Sequence, residues 1–281
     1  MTFLITQPLW LTGTLFGLIT LGAMAGPVLV RRCTSLEKLR ANNEVAGFKF
    51  ATVGVLYAVL LAFAVIVVWE KFSLAEADVA QEAGAAATIY SLSEGIGSEP
   101  GAALRGAVTQ YLEAAINEDW PDMERGRANP NVTRSLEDVY HTLLGYHPDD
   151  ARGTALLTEI LHQMDVVSEA RHSRLVMASG VMPGIVWLVL LVGAILTVGF
   201  TFFFGTENLR AQVMMTGALS LLIFSGLLII VAIDHPFAGT VKVSSEALDA
   251  TLKEFDGKSS LSALQGSRWA HSAEQSSSLV K

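Results

Sequence analysis

Four long stretches of the chain contain no charged residue, and they fall in two pairs on either side of a long polar segment. The stretches are Met1–Val30, Phe50–Trp69, Pro183–Thr206 and Ala211–Ile233. A helix needs about 20 apolar residues to cross the hydrocarbon core of a bilayer, and a charged residue at its centre opposes insertion. The pattern therefore predicts an all-α, polytopic membrane protein with four transmembrane helices in two pairs.

The same pattern divides the chain into four parts. They are a first transmembrane hairpin, an extramembrane insert, a second transmembrane hairpin and a polar tail, at residues 1–69 (spans about 8–30 and 50–69), 70–182, 183–240 (spans about 183–204 and 212–233) and 241–281. The tail is rich in serine and poor in apolar residues, a composition typical of largely disordered segments.

Apolar residues at helical spacing predict that the insert is helical. Four helices are expected, at about Phe72–Leu92, Ala102–Glu118, Val132–Leu144 and Ala151–Val181. We expect the fourth to continue into the third span, with Pro183 kinking the junction rather than ending the helix, because neighbouring helices can satisfy the freed carbonyl group.

Charge is distributed unevenly between the two sides of the predicted membrane. The insert contains 18 Asp and Glu against 8 Lys and Arg, a net charge of −10, which argues against nucleic acid as a partner. The connection 31–49 contains five Lys and Arg and two Glu. Because basic residues near span ends stay in the cytoplasm, loop 31–49 is predicted to be cytoplasmic, and the insert and both termini extracytoplasmic, in a bacterial inner membrane.

Small residues recur along the first two spans and predict close helix packing. They are Gly13, Gly17, Gly22, Gly26, Gly54, Ala58 and Ala62. Two interpretations remain open: packing within one protomer, and packing between protomers of an oligomer.

The second span is the first candidate to line a pore. It has no charge over twenty residues, and Tyr57, Leu61 and Val65 project along one line at a spacing of four. Such a line forms a hydrophobic constriction that gates by dewetting. The alternative is an ordinary bundle helix in which Tyr57 bonds a neighbouring backbone carbonyl.

Two basic residues lie one turn before the third span. Arg171 and Arg174 are candidates for a vestibule that attracts anions in an oligomer. The alternative is snorkelling, or pairing with Asp165 and Glu169.

Asp234 and His235 follow the fourth span directly and are candidates for a gate, since histidine is the side chain whose change of charge lies nearest physiological pH. The alternative is that Pro236 simply ends the span.

The sequence contains little that indicates a metal site or an enzyme. Glu-x-x-His occurs twice, at Glu159 with His162 and at Glu169 with His172, but di-iron bundles place this motif on two facing helices, and here both copies lie on one helix. No phosphate-binding glycine loop or nucleophile motif is present. We expect no metal, no cofactor and no enzymatic activity.

A set of short motifs, taken in order along residues 8 to 256, resembles the prokaryotic family of bestrophin-like membrane proteins, a domain of unassigned function. The motifs are Gly47-Phe48, Gly54, Tyr57, Phe63, Trp69, Gln81-Glu82-Ala83, Tyr111, Glu118-Asp119-Trp120-Pro121, Arg171, Arg174, Pro183, Trp187 and Asp234-His235-Pro236-Phe237-Ala238-Gly239. The resemblance implies kinship with bestrophins, pentameric anion channels whose second span lines the pore. Bestrophins place their large helical domain in the cytosol, opposite to the orientation that loop 31–49 favours.

These observations lead to two functional hypotheses. The first is a homo-oligomeric ion channel, anion-conducting and pentameric if it follows the family, with the second span lining the pore. The second is a non-conducting membrane scaffold or sensor whose acidic insert binds an envelope protein. The expected partners are the lipid bilayer and further copies of the chain.

Overall fold

A computed structural model describes residues 9–41 and 43–258, and this part of the chain contains helices and no β-strand. The helices are α1 (Leu9–Cys33), α2 (Leu36–Arg40), α3 (Asn43–Leu92), α4 (Ser98–Ala114), α5 (Trp120–Met123), α6 (Pro130–Leu144), α7 (Ala151–Ala178), α8 (Gly184–Thr201), α9 (Leu209–Ile233) and α10 (246–258). A 3₁₀ turn lies at Ser93–Gly95 and a π turn at Ala115–Asp119.

Four helices of the described chain, α1, α3, α8 and α9, are long and apolar enough to cross a membrane. This confirms the prediction of an all-α polytopic membrane protein. Their burial differs: 44% of the apolar window of α9 is buried, against 17% in α1 and in α3. Helix α9 is therefore the best packed of the four, and α3 leaves most of its apolar surface exposed.

The chain divides into two compact units. The membrane unit comprises Met1–Leu74 and Met177–Val243, and the insert unit comprises Ala75–Val176 and Ser244–Lys281. The starts and ends of the chain, residues 1–8 and 259–281, lie outside the described residues, and so does the serine-rich part of the predicted tail.

The second span and the first insert helix form one helix of 50 residues, α3. The sequence predicted a span ending at Trp69 and a helix starting at Phe72. No proline interrupts this stretch, and an adjacent pair of charged residues, Glu70 and Lys71, does not break a helix.

The predicted continuation of the fourth insert helix into the third span is wrong. Helix α7 ends at Ala178, and α8 begins at Gly184. Gly180 has a positive φ of 102°, a conformation that glycine adopts at little cost and that ends a right-handed helix. The turn after α7 is bonded to the end of α9, since the Val181 N–H donates to the carbonyl oxygen of Asp234 at 3.0 Å.

The beginning of the predicted tail contains a further helix. Residues 246–258 form α10, in which Leu248 and Phe255 are buried. The Phe255 ring stacks on Tyr90 of α3 with ring centroids 3.8 Å apart. Apolar residues spaced along one face of this short helix therefore bury it in the insert unit.

Candidate functional site

Two of the three residues of the predicted pore line, Tyr57 and Leu61, face other helices of the same chain, and the third, Val65, is half-buried. Tyr57 is buried, and its hydroxyl donates to the backbone carbonyl of Leu190 in α8 at 3.1 Å. A Cβ on Gly193 would overlap the Tyr57 ring, so α8 approaches α3 closely here. Leu61 lies similarly close to Gly226 of α9, where a Cβ would be 2.8 Å from its side chain. The structure thus has the Tyr57–carbonyl bond that the bundle-helix interpretation expects.

The opposite face of α3 is free in the described chain. Val59, Phe63 and Ile66 are 47%, 63% and 51% exposed. With 3.6 residues per turn, these three side chains project roughly opposite Tyr57. The second span therefore has one face that packs within the protomer and one apolar face that contacts lipid, water or another chain.

Most of the predicted small-residue positions make no close contact within the described part of the chain. Gly26 does make one, since a Cβ there would overlap the ring of Phe202. At the other glycines an added Cβ would meet no atom within 4 Å, and both alanines are exposed: Gly13, Gly17, Gly22, Gly54, Ala58 and Ala62. The close approaches that the sequence interpretation missed include Gly193, Gly217 and Gly226.

The insert unit contains a buried set of charges, here called the charge cluster: Glu82, Asp119, Arg171 and Arg174. The Arg174 Nε and Nη2 atoms donate to the two carboxylate oxygens of Glu82 at 2.9 and 3.0 Å. Arg171 donates from Nε and Nη2 to the two oxygens of Asp119 at 2.9 and 3.3 Å. Arg174 Nη2 also lies 3.5 Å from Asp119, so the two ion pairs form one network.

Neighbouring residues complete the charge cluster. The Tyr111 hydroxyl donates to Glu82 at 2.6 Å, and the Arg174 guanidinium lies 4.6 Å from the centre of the Trp120 ring. Burial, followed by the charge of Glu82, raises the pKa of the Tyr111 phenol well above its usual range. The π turn ends at Asp119, whose carboxylate also accepts from the Asn129 N–H at 3.0 Å. Helices α3, α4 and α7 are thereby joined at one point.

The expected partners of the two arginines are not the ones in the structure. Asp165 instead accepts a hydrogen bond from the Tyr140 hydroxyl at 3.3 Å. Because two carboxylates neutralise Arg171 and Arg174 and all four groups are buried, a free ring of positive charge at these positions conflicts with the geometry.

A second polar group, here called the junction cluster, lies in the membrane unit and comprises Met182, Trp187, Asp234 and His235. The buried Asp234 carboxylate accepts from the Met182 N–H at 2.8 Å and from the Trp187 Nε1 at 3.3 Å. His235 places its Nδ1 3.4 Å from the same carboxylate. These contacts hold the end of α9 against the turn that precedes α8.

The motifs that suggested the family resemblance thus meet in space. Glu82, Tyr111, Asp119 and both arginines form the charge cluster and its neighbour, and the Trp187 and Asp234 motifs form the junction cluster. Glu82 and Arg174 are 92 residues apart along the chain, so their contact could not be predicted from the spacing of residues in the sequence. The Glu-x-x-His residues lie along α7, and no group of three potential metal-ligating residues occurs in the described chain.

The membrane unit also contains an apolar cavity of about 510 Å³ near the short connections. Phe50, Phe204 and Met215 contribute to its wall. The buried Gln212 amide beside it donates to the carbonyl of Phe204 at 2.7 Å and accepts from the Thr206 hydroxyl. Its polar groups are therefore paired within the protein.

Comparison with known proteins supports the resemblance. A family model described as Bestrophin-like domain matches residues 17–248. Among solved structures, a membrane protein carrying a point mutation aligns with a TM-score of 0.65 and 13% identity over 85% of this chain and 96% of its own. Two point variants of a bacterial bestrophin homologue from Klebsiella pneumoniae align with TM-scores of 0.64 and 0.62, at 13% and 14% identity, over 85% of this chain and 97% and 98% of theirs. A search of curated protein sequences gave no match.

Proposed function

The chain belongs to the Bestrophin-like family, and from this membership we propose that it forms a homo-oligomeric ion channel in the bacterial inner membrane. The observation that carries the proposal is the free apolar face of α3. Only 17% of the apolar window of α3 is buried within the described chain, so a large apolar face of this helix is available to line a pore between protomers.

The pore-lining residues of this proposal differ from those first predicted. Tyr57 donates a hydrogen bond to α8, and Leu61 packs against α9. We assign the pore instead to Val59, Phe63 and Ile66. Large apolar side chains from several protomers, meeting around an axis, form a constriction that opens and closes by wetting. This lining contains no charge, so the choice between anions and cations rests on the family resemblance, which favours anions, as it favours a pentamer.

The outward-facing small residues fit contacts between protomers. Gly54, Ala58 and Ala62 lie on one side of α3, between the Tyr57 face and the proposed pore face. Without a hydrophobic drive in lipid, close backbone approach at small residues supports helix association. We infer that this side of α3 contacts the next protomer, in keeping with the interpretation of packing between protomers.

The proposed orientation places the two short connections in the cytoplasm. They are tied together: the Asn43 side chain exchanges two hydrogen bonds with the backbone of Gly205, at 2.8 and 2.9 Å, and Arg40 pairs with Glu207. The chain's single cysteine, Cys33, is exposed beside them.

Labelling with a membrane-impermeant maleimide tests this orientation in intact cells. We expect Cys33 to stay unlabelled, and Cys33→Ser/Ala128→Cys to be labelled through its exposed position in the insert. Labelling of Cys33 with protection at position 128 would reverse the orientation.

Reconstitution tests conduction. The purified protein in planar bilayers should give unitary currents, and Phe63→Ala should change their amplitude or open probability. Leu222→Ala is the matched control, because Leu222 is a large apolar residue of α9 that is similarly outward-facing at 72% exposure. If intact wild-type oligomers give no current at any salt or pH tested, the alternative of a non-conducting scaffold or sensor is favoured. The observation that supports this alternative is the acidic insert.

A further inference from the structure

Asp234, at the end of α9, ties the turn between α7 and α8 to that helix. Asp234 accepts the Val181 N–H on its backbone oxygen and the Met182 N–H on its carboxylate, at 3.0 and 2.8 Å. The same carboxylate accepts from Trp187 in the first turn of α8. The position of this turn therefore depends on the charge and orientation of the Asp234 carboxylate.

The His235 ring lies directly on this turn. Gly180 has φ of 102°, and a Cβ there would lie 2.8 Å from both Cε1 and Nε2 of the ring. On the other side, His235 Nδ1 is buried, 3.4 Å from an oxygen of Asp234, and makes no hydrogen bond with the described chain. An unpaired buried nitrogen facing a carboxylate is unfavourable. A neutral ring with its proton on Nδ1 is able to donate to this carboxylate, but a charged ring always has a proton there and makes the stronger, charge-assisted hydrogen bond.

We propose that His235 is a pH-responsive latch, in which protonation of its ring pairs Nδ1 with the Asp234 carboxylate and fixes the turn 179–183. A neutral imidazole has a proton on one nitrogen, whereas the charged ring has one on each. Solvent supplies this proton, because the His235 side chain is 17% exposed. Imidazoles change charge within the range that cells and their surroundings span, pH 5 to 8.

The charged surroundings of His235 are simple. Asp234 is the acidic group that faces it, and neither the turn 179–183 nor helix α8 contains an ionisable side chain. In the segment that follows, Val243 is tied back to the carbonyl of Pro236 at 2.7 Å, and Lys242 beside it is exposed. We attribute the response to the His235–Asp234 pair, and substitution of His235 tests this attribution. The response does not depend on whether the protein conducts.

Hydrogen–deuterium exchange of the full chain in nanodiscs tests the latch. The readout is the protection factor of the peptide containing Val181 and Met182, corrected for the intrinsic pH dependence of exchange, at pH 5.5 and 7.5. Wild type should be about tenfold more protected at pH 5.5, the lower end of what a hydrogen bond to a charged group provides. His235→Gln should show equal protection at both values. His147→Gln, which changes an exposed histidine of the insert unit, should behave as wild type.

Equal wild-type protection at the two pH values would overturn the proposal, and so would a pH effect that persists in His235→Gln. If His235→Gln fails to fold, the wild-type comparison across pH still decides, together with Asp234→Asn. That variant keeps a side-chain oxygen for the Met182 N–H but removes the charge, so its pH effect should also be lost.

Discussion

Removing one charge from the charge cluster should destabilise the insert unit strongly. Arg174→Met keeps most of the side-chain volume and the contact surface on Trp120, but it deletes both hydrogen bonds to Glu82. The Glu82 carboxylate would then be left fully buried with Tyr111 as its donor.

The magnitude follows from burial. Both partners have no exposed side-chain surface, so water does not screen the pair, and breaking such a pair costs about 3–5 kcal/mol. That is a large part of the roughly 5–15 kcal/mol by which a typical domain is stable. Glu82→Gln should cost a similar amount, since Arg174 then retains only the more distant Asp119 as a charged partner. In the double variant neither charge remains unpaired, so the two losses should not add.

Pulse proteolysis of the full chain in detergent micelles, across a urea series, measures the stability of the insert unit through cleavage within Ala75–Val176. Arg125→Met is the control, because Arg125 pairs with Asp122 at 3.3 Å on the surface and is 63% exposed. Such pairs contribute less than about 1 kcal/mol. We expect a small shift of the urea midpoint for the control and a large one for Arg174→Met.

Two results would show that Glu82 and Arg174 do not act as a buried pair. One is a midpoint for Arg174→Met that equals that of the control. The other is additive losses in the double variant, which would mean that Glu82 and Arg174 contribute independently rather than as a pair.

Three further predictions concern single positions. Gly180→Ala should lower the melting temperature of the protein in micelles. A residue with a side chain pays about 1–2 kcal/mol for a positive φ, and the new Cβ would lie 2.8 Å from the His235 ring. Gly184→Ala is the control and should leave the melting temperature unchanged, because no atom lies within 4 Å of a Cβ added there. Gly193→Ala should also lower the melting temperature, because its Cβ would overlap the second-span tyrosine ring. The raised pKa of Tyr111, due first to burial and then to Glu82, means that its contribution to stability is present below about pH 10 and is lost at higher pH. Unfolding of wild type and Tyr111→Phe, measured from about pH 8 to 11, should converge as the pH rises.

The membrane architecture could be predicted from sequence because soluble domains rarely contain uncharged apolar runs of span length. The break before α8 was also signalled: Gly180 and Pro183 stand within four residues of each other, and their combined effect outweighs the expected kink. Helix α10 has a comparable signal in Leu248, Leu252 and Phe255, which recur at helical spacing. This helix was not predicted because the rest of the tail is polar.

The face of α3 that packs within the protomer could not be predicted in the same way. A helix that is apolar all round has no periodicity to orient it, and Tyr57 attracted attention because it is polar. The contacts that decide its position come from Leu190 and Gly193, and Leu190 is 133 residues away along the chain. The charge cluster was hidden for the same reason, since sequence spacing pairs Arg171 with near neighbours such as Glu169, whereas tertiary packing pairs it with Asp119.

The central claim is that the exposed face of α3 lines an ion pore in an oligomer. Recording currents from Cys33→Ser/Ile66→Cys while adding a charged methanethiosulfonate reagent tests this most directly, with Cys33→Ser/Leu222→Cys as the matched control. If the exposed face of α3 lines the pore, the reagent should change the current at once through position 66 and leave the control unchanged. Currents that the reagent affects equally in both variants, or in neither, would contradict this claim.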